Sequence, residues 1–472
     1  MRILVLPNLS RLTDVGYDSC FVVPWQWARY MPQHYFYISV PETVDTRGFE
    51  LPNVKFLKCE KFVDYHTQQV MVDADLYFNF NQLNGVYPID AISTSRVPAA
   101  IILKRMFTSN NGSSSIPSVI FTSKAMAKGD THDADSEIER KIRSMSYTEC
   151  VSTFNTQREL DISRKACSQF LMASEMARFD ANARVVSVGI PHDEIEQATN
   201  GVSKNKEFTV YYGGRLTSNK RWFDVLDMYD EFLKANADAR AVLSTFYNIK
   251  PLEEHRRRLG DRLSVFQDLS RQQLFKLQAE AHASICMINK GNSAGIYLEQ
   301  ILAGQVVLFV DRPWSRSTFD GVKQPFFFST AEEALALLRW VKNNYDEAQS
   351  KMKPIREHII GKLGIHTVTQ QLDSILSEVT EDTYESGMPK KALFLGVFAS
   401  MPKLFSLNMF CDALIDRDPI FKLSLEPNRA HLSNPLSSGW LPFGRRDVLR
   451  WLSTIATDTM DSDIATFRKD SD

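Results

Sequence analysis

The chain has 472 residues, more than one core of usual size accommodates and enough for two or three domains. Hydrophobic residues at 44% and charged residues at 24% place it among soluble globular proteins. The formal net charge of -2 excludes a global field that draws in nucleic acid or anionic membrane, so any such partner must meet a local patch.

The six cysteines, Cys20, Cys59, Cys150, Cys167, Cys286 and Cys411, are scattered, with no C-x-x-C pair and no metal-ligand spacing. That pattern fits buried free thiols in a reducing compartment, and a cytoplasmic location is expected. The opening Met1-Arg2-Ile3-Leu4-Val5-Leu6-Pro7 reads as a short strand and not as a signal peptide. No segment approaches the ~18 apolar residues that span a bilayer.

In chain order, residues 2–6 read as a buried parallel strand. A loop over 9–17 containing Gly16 leads to a helix over 18–30. Strands follow over 34–40, 54–57 and 74–80, and a helix over 98–107 has Pro98 at its start. The alternation of strands and helices predicts a parallel sheet covered on both faces, with ligands beyond the C-terminal strand ends. Residues 108–115 form a flexible loop, and a strand over 117–121 exits at Thr122-Ser123-Lys124. Between residues 93 and 129 lie Arg96, Lys104, Arg105, Lys124 and Lys128 and no acidic residue. Such a patch can receive an anionic acceptor, DNA included; the same charges can equally point in several directions, and an acidic stretch from Asp130 follows.

A strand over 150–155, a helix over 156–171 and a strand over 185–188 close the first half. Polar residues 197–207 fit an interdomain linker. The second half opens with a strand over 208–212 that runs into Gly213-Gly214-Arg215 and, at Trp222, a helix. Two glycines let the backbone turn sharply and sit close to a ligand. Free N–H groups at the helix start suit an anion. Arg215 offers a planar fork for phosphate oxygens and Lys220 a mobile point charge. A diphosphate is the natural occupant, although a tight turn with two solvated cations would use the same residues.

Strands over 239–244 and 263–266, the capping box Ser270-Arg271-Gln272-Gln273 and a strand over 283–288 come next. Ser293-Ala294-Gly295 can start a helix with Glu299 one turn in, where a carboxylate can accept hydrogen bonds from a ribose diol. Ala303-Gly304 ends that helix, and a strand over 306–310 follows. Thr330 caps a helix expected to reach Met352, and a further helix covers 366–379.

The pairing of Gly-Arg-x-x-x-x-Lys with x-Leu-Glu-x-x-x-Ala-Gly-x-Val-Val resembles the nucleotide-sugar domain of retaining GT-B glycosyltransferases of family four, also called glycosyltransferase group 1. The resemblance spans roughly residues 205–375. It implies an α/β chain of two Rossmann-like doubly wound domains facing a cleft: an acceptor domain over 1–200, a nucleotide-sugar domain over 205–380, and a mainly helical extension over 381–472. It implies a nucleotide-diphosphate sugar as donor, a UDP-sugar first, with Arg215 and Lys220 in the catalytic role, no other cofactor and no metal. Donor contacts are expected from Gly213, Gly214, Arg215, Lys220, Phe266, Gln267, Ser293, Ala294, Gly295 and Glu299. Gly16, Ser123 and His132 are candidates for the acceptor and sugar side. The first glutamate of the family's motif falls at Gly291, and the histidine that many relatives carry is replaced by Thr122-Ser123. These two departures keep a non-catalytic nucleotide-sugar-binding protein open, and the basic stretch between residues 93 and 129 keeps open a DNA-modifying transferase acting on a hydroxylated base. In the extension, residues 389–405 can dock on a membrane surface or pack on the catalytic body, and Arg445 and Arg446 can touch phosphate.

Overall fold

A computed structural model describes residues 1–7, 9, 15–59, 91–94, 118–123, 144, 147–148, 151–245, 252–289 and 295–381. The chain divides into two compact units. The described residues up to Val186 and those from Thr369 onward belong to the first, and Ser187–Val368 to the second.

The first unit is built on a parallel sheet of seven strands: β1 Arg2–Leu6, β2 Tyr35–Pro41, β3 Val54–Cys59, β4 Ala91–Thr94, β5 Ser118–Ser123, β6 Val151–Phe154 and β7 Ala183–Val185. Their order is β3-β2-β1-β4-β5-β6-β7. Helix α1, Ser19–Tyr30, starts where the Asp18 carboxylate accepts from the Cys20 amide at 2.9 Å, and it buries Phe21, Trp25 and Trp27. Helix α2, Gln157–Cys167, is capped by Thr156 and by Glu159, which reaches back to the Asn155 amide at 3.0 Å.

Several expectations change here. The helix expected to reach residue 171 stops at Cys167, where the Ser168 hydroxyl turns onto the Lys165 carbonyl. A separate helix, α3 Ala173–Asn182, runs directly into β7. The strand expected over 185–188 is β7, displaced toward the N-terminus, because after Val186 the chain leaves this unit. Strand β4 was not anticipated: half of Ala-Ile-Ser-Thr is polar, and only its pairing with β1 and β5 makes it a strand. The strand expected over 74–80 and the helix over 98–107 lie outside the described residues.

The second unit holds six parallel strands: β8 Phe208–Gly213, β9 Ala239–Thr245, β10 Leu263–Gln267, β11 Ala283–Cys286, β12 Val306–Val310 and β13 Phe327–Phe328. Around them run α4 His192–Thr199, α5 Trp222–Ala235, α6 Glu253–Leu259, α7 Arg271–Glu280, α8 Gly295–Leu302, α9 Pro313–Thr318, α10 Ala331–Asn343 and α11 Tyr345–His358, and α12 Ile365–Glu381 has only its first four residues in this unit. β8 and β12 are buried along their whole length, as parallel strands covered on both faces require. Helix α4 occupies the start of the stretch expected to be linker and packs on α7 and α8 through the buried Ile195.

The helix expected to run to Met352 is broken at Asn344. Its side-chain amide donates to the Trp340 carbonyl at 2.9 Å and its own N–H bonds the same oxygen, which ends α10 and starts α11. Helix α12 begins in the second unit and continues in the first, where Asp373 meets the His34 ring at 2.6 Å.

The strand order of the second unit, β10-β9-β8-β11-β12-β13, reverses direction between β8 and β11. From β8 the chain moves outward one way and returns to place β11 on the other side. Loops leaving the carboxyl ends of those two neighbours must diverge to opposite faces, and the gap between them is where open α/β sheets bind ligands.

Candidate functional site at the carboxyl ends of β8 and β11

Strand β8 ends at Gly213, and Gly214 turns with φ +125°, a conformation open to glycine and strained for other residues. The Gly214 N–H donates to the Ser244 carbonyl at 3.1 Å, so the turn is tied to the neighbouring strand β9. The Tyr212 hydroxyl donates to the Arg215 carbonyl at 2.9 Å and fixes the next residue. A short 3-10 turn, Ser218–Lys220, follows, and Arg221 in left-handed conformation (φ 46°) redirects the chain into α5.

The loop after β11 meets this turn. The Asn289 N–H donates to the Asn219 carbonyl at 2.9 Å. The position a Cβ would take on Gly214 is 3.9 Å from Lys220 Nζ and 4.0 Å from Ile296 Cδ1 in the first turn of α8. Lys220 Nζ sits 5.6 Å from the centroid of the buried Tyr297 ring. Two segments far apart in sequence are thus held at one point by the sheet order.

The charges here are positive. Arg215 and Lys220 are half-buried, and among the described residues neither has a carboxylate partner. Burial pushes the Lys220 ammonium below the usual lysine range, and the charge of Arg215 pushes the same way, against the nearby Cys286 thiol. The Cys286 thiol, buried at the end of β11, is itself pushed up to about 12 by burial and so is not a thiolate. Two cations without a carboxylate partner in a partly desolvated turn have the charge that an anion requires of its partners.

Glu299 lies one turn into α8 and is half-buried. Its Oε1 accepts from Arg271 Nη2 at 3.2 Å, the first residue of α7. The Ser270 capping box that starts α7 forms as the sequence predicts, with bonds of 2.9 and 3.3 Å. Phe266 and Gln267 close β10 just before that helix; Phe266 is 38% exposed, an unusual place for a large ring. Asp268, at φ 51°, makes the turn between them and α7. Arg271 therefore joins the Phe266–Gln267 corner to Glu299, a link that sequence spacing did not reveal because its two ends are 28 residues apart.

Ser293 and Ala294 lie outside the described residues, as does Gly291; Gly295 is the first residue of α8, with open space where a Cβ would sit. The candidates for the acceptor and sugar side fall in the first unit or outside the described residues. Gly16 sits in a 3-10 turn before α1 in the first unit, and Ser123 is the last residue of β5, in register with Phe154. His132 and His66 lie outside the described residues, as do the five cations between 93 and 129 and the extension after residue 381. Among the described residues there is no cluster of acidic, histidine or cysteine side chains able to hold a metal, and no helix long and apolar enough to cross a membrane.

No family model and no curated protein sequence matches this chain. Solved structures do. HepE from Anabaena in complex with UDP-glucose aligns at a TM-score of 0.56 and 14% identity, over 80% of this chain and 100% of that one. Sucrose-phosphate synthase from Thermosynechococcus elongatus aligns at 0.60 and 10% identity, over 81% and 99%. A glycosyltransferase from Rickettsia africae aligns at 0.57 and 11% identity, over 80% and 97%.

The fold is GT-B.

At such identities the likeness is one of backbone, over about four fifths of this chain. The side chains at the β8–β11 switch point have to be argued from their own chemistry.

Proposed function

We propose that this chain is a glycosyltransferase that takes its sugar from a UDP-sugar. The diphosphate would lie at the β8 exit against Arg215 and Lys220, with Gly213 and Gly214 allowing close backbone approach. Glu299 would hold the ribose hydroxyls, and the Phe266–Gln267 corner would flank the base. The observation that carries this reading is the convergence of two unpaired cations with the first turn of α8 at the switch point of the sheet. The likeness in backbone to HepE, described with UDP-glucose, supports the choice of donor.

The chemistry follows from charge. As the bond from the anomeric carbon to the diphosphate oxygen breaks, negative charge grows on the leaving group. Preorganised cations and amide N–H groups stabilise that charge more than they stabilise the intact donor. The same two side chains supply charge that a divalent ion supplies elsewhere, so turnover is expected to survive chelation by EDTA. The resemblance of the donor motifs points to retention at the anomeric carbon, and the buried thiol of Cys286 accords with a reducing, cytoplasmic setting.

The test is a calorimetric titration with UDP and UDP-glucose, together with an assay for release of UDP. Binding with slow hydrolysis is expected. Binding without any release, under every acceptor tried, would favour a nucleotide-sugar-binding protein, and absence of UDP binding would overturn the reading.

A further inference from the structure

A second cationic site lies at the other end of α8. A cavity of about 440 Å³ opens there in the second unit, beside Leu302, Ala303 and Gly304 where α8 stops. Lys204, from the segment after α4, and Arg356, on α11, both line it, with Tyr345 and Gln349 as polar neighbours and Val202 and Leu302 as an apolar wall. The cavity is remote from Gly295 by the length of α8, roughly 12 Å for eight residues at 1.5 Å each.

Helix ends account for part of the cationic charge. Lys204 Nζ donates to the carbonyl of Ala281, the extended residue that follows α7, at 2.5 Å, and Arg356 Nε to the Ile301 carbonyl in the last turn of α8 at 3.1 Å. One Nη2 hydrogen of Arg356 goes to Gln349. An ammonium has three donors and a guanidinium five, so N–H groups of both remain without a protein acceptor. Among the described residues no carboxylate pairs with either cation.

Two cations confined together without a counter-charge oppose one another, and the electrostatics record it. Burial and the Arg356 charge push the Lys204 ammonium down to about 7, and burial lowers Arg356 as well. The neighbouring His282 is held down to about 4 by burial and by Lys204. An anion in the cavity would relieve all three.

We propose that this cavity binds a phosphate group, either free or carried on a small organic body that rests against Val202 and Leu302, and that it is a site separate from the one at the β8 exit. An oxyanion there would accept the spare N–H groups of Lys204 and Arg356, with the Tyr345 hydroxyl within the same wall.

The experiment is site-resolved acetylation of the whole protein near neutral pH with acetic anhydride, read by mass spectrometry. Lys204, partly unprotonated, is expected to react faster than the exposed Lys206 of the same segment. Inorganic phosphate in the millimolar range, at matched ionic strength in chloride, is expected to slow Lys204 roughly tenfold, in keeping with a charge-assisted contact, and to leave Lys206 unchanged. Arg356→Met should abolish that protection. Glycerol 3-phosphate in place of inorganic phosphate separates the two sources: stronger protection means that the organic body contributes, and equal protection means that the free ion suffices. Lys204 labelling that phosphate does not slow in the wild-type chain, or protection that persists undiminished in Arg356→Met, would overturn the proposal. Since the readout is at Lys204, phosphate held at Arg215 and Lys220 does not register, and failure here leaves the donor-site reading untouched.

Discussion

Lys220 Nζ stands 5.6 Å from the centre of the Tyr297 ring, which fastens the turn after β8 to the first turn of α8. The contact orients an ammonium that burial and Arg215 already disfavour. A diphosphate placed between these residues would supply the missing negative charge.

Arg215→Ala and Lys220→Ala are each expected to lower UDP-sugar turnover by about 2–4 kcal/mol in barrier, the range for a lost transition-state donor. The loss should fall mainly on kcat, because the charge that they meet grows as the bond breaks. Single-turnover hydrolysis of UDP-glucose measures it; unchanged rates in both variants would remove these side chains from the chemistry.

Gly214 and Gly295 should answer substitution by alanine in opposite ways. A Cβ at Gly214 meets only ordinary contacts, at 3.9 and 4.0 Å, so the penalty there comes from φ +125°. Gly214→Ala is expected to cost about 1–3 kcal/mol of stability. Gly295 has open space and no positive φ at the start of a helix, and Gly295→Ala is expected to be neutral or stabilising by about 0.5–1 kcal/mol. Urea unfolding midpoints decide both.

Glu299 and Arg271 can be separated by ligand. Arg271→Ala leaves the half-buried carboxylate without its guanidinium partner and is expected to cost about 1–2 kcal/mol. Saturating UDP should recover much of the lost thermal stability, since ribose hydroxyls can donate to the same oxygens. Glu299→Gln should instead weaken UDP affinity with little change in unliganded stability. Equal UDP affinity in the Glu299 variant would count against a ribose contact.

His282 sets a pH dependence. Its imidazole accepts from the Thr209 N–H at 3.1 Å, and burial holds it down to about 4 against an ordinary 6.5. Between those values the unfolded chain takes up the proton and the folded chain does not, so stability falls as pH drops from about 6.5 to about 4. His282→Asn, which keeps an acceptor but does not titrate, should flatten that part of the melting-temperature curve. An unaltered slope would assign the acid sensitivity to other groups.

Much of the second unit was legible from local pattern. The capping box at Ser270, the glycine at 304 with φ +91° and the apolar runs of β8 and β12 are features whose cause lies within a few residues. Asn344 was legible in principle, as a side chain that competes for helix carbonyls, but the apolar spacing across it masked the break. β4 was not legible, because four residues that are half polar become a strand only between β1 and β5.

By itself the sequence determined the ingredients of the candidate site: a strand ending in two glycines, two cations after it, and a glutamate one turn into a later helix. Those depend on residue type and short spacing. Only the tertiary structure decided that the glycine turn and Lys220 meet the first turn of α8, because the reversal of strand order beside β8 sets β11 next to it. Only the tertiary structure also gave Glu299 its partner in Arg271 and drew Lys204 and Arg356 to one cavity. Such contacts join residues tens of positions apart, and long-range sheet pairing, not local propensity, brings them together.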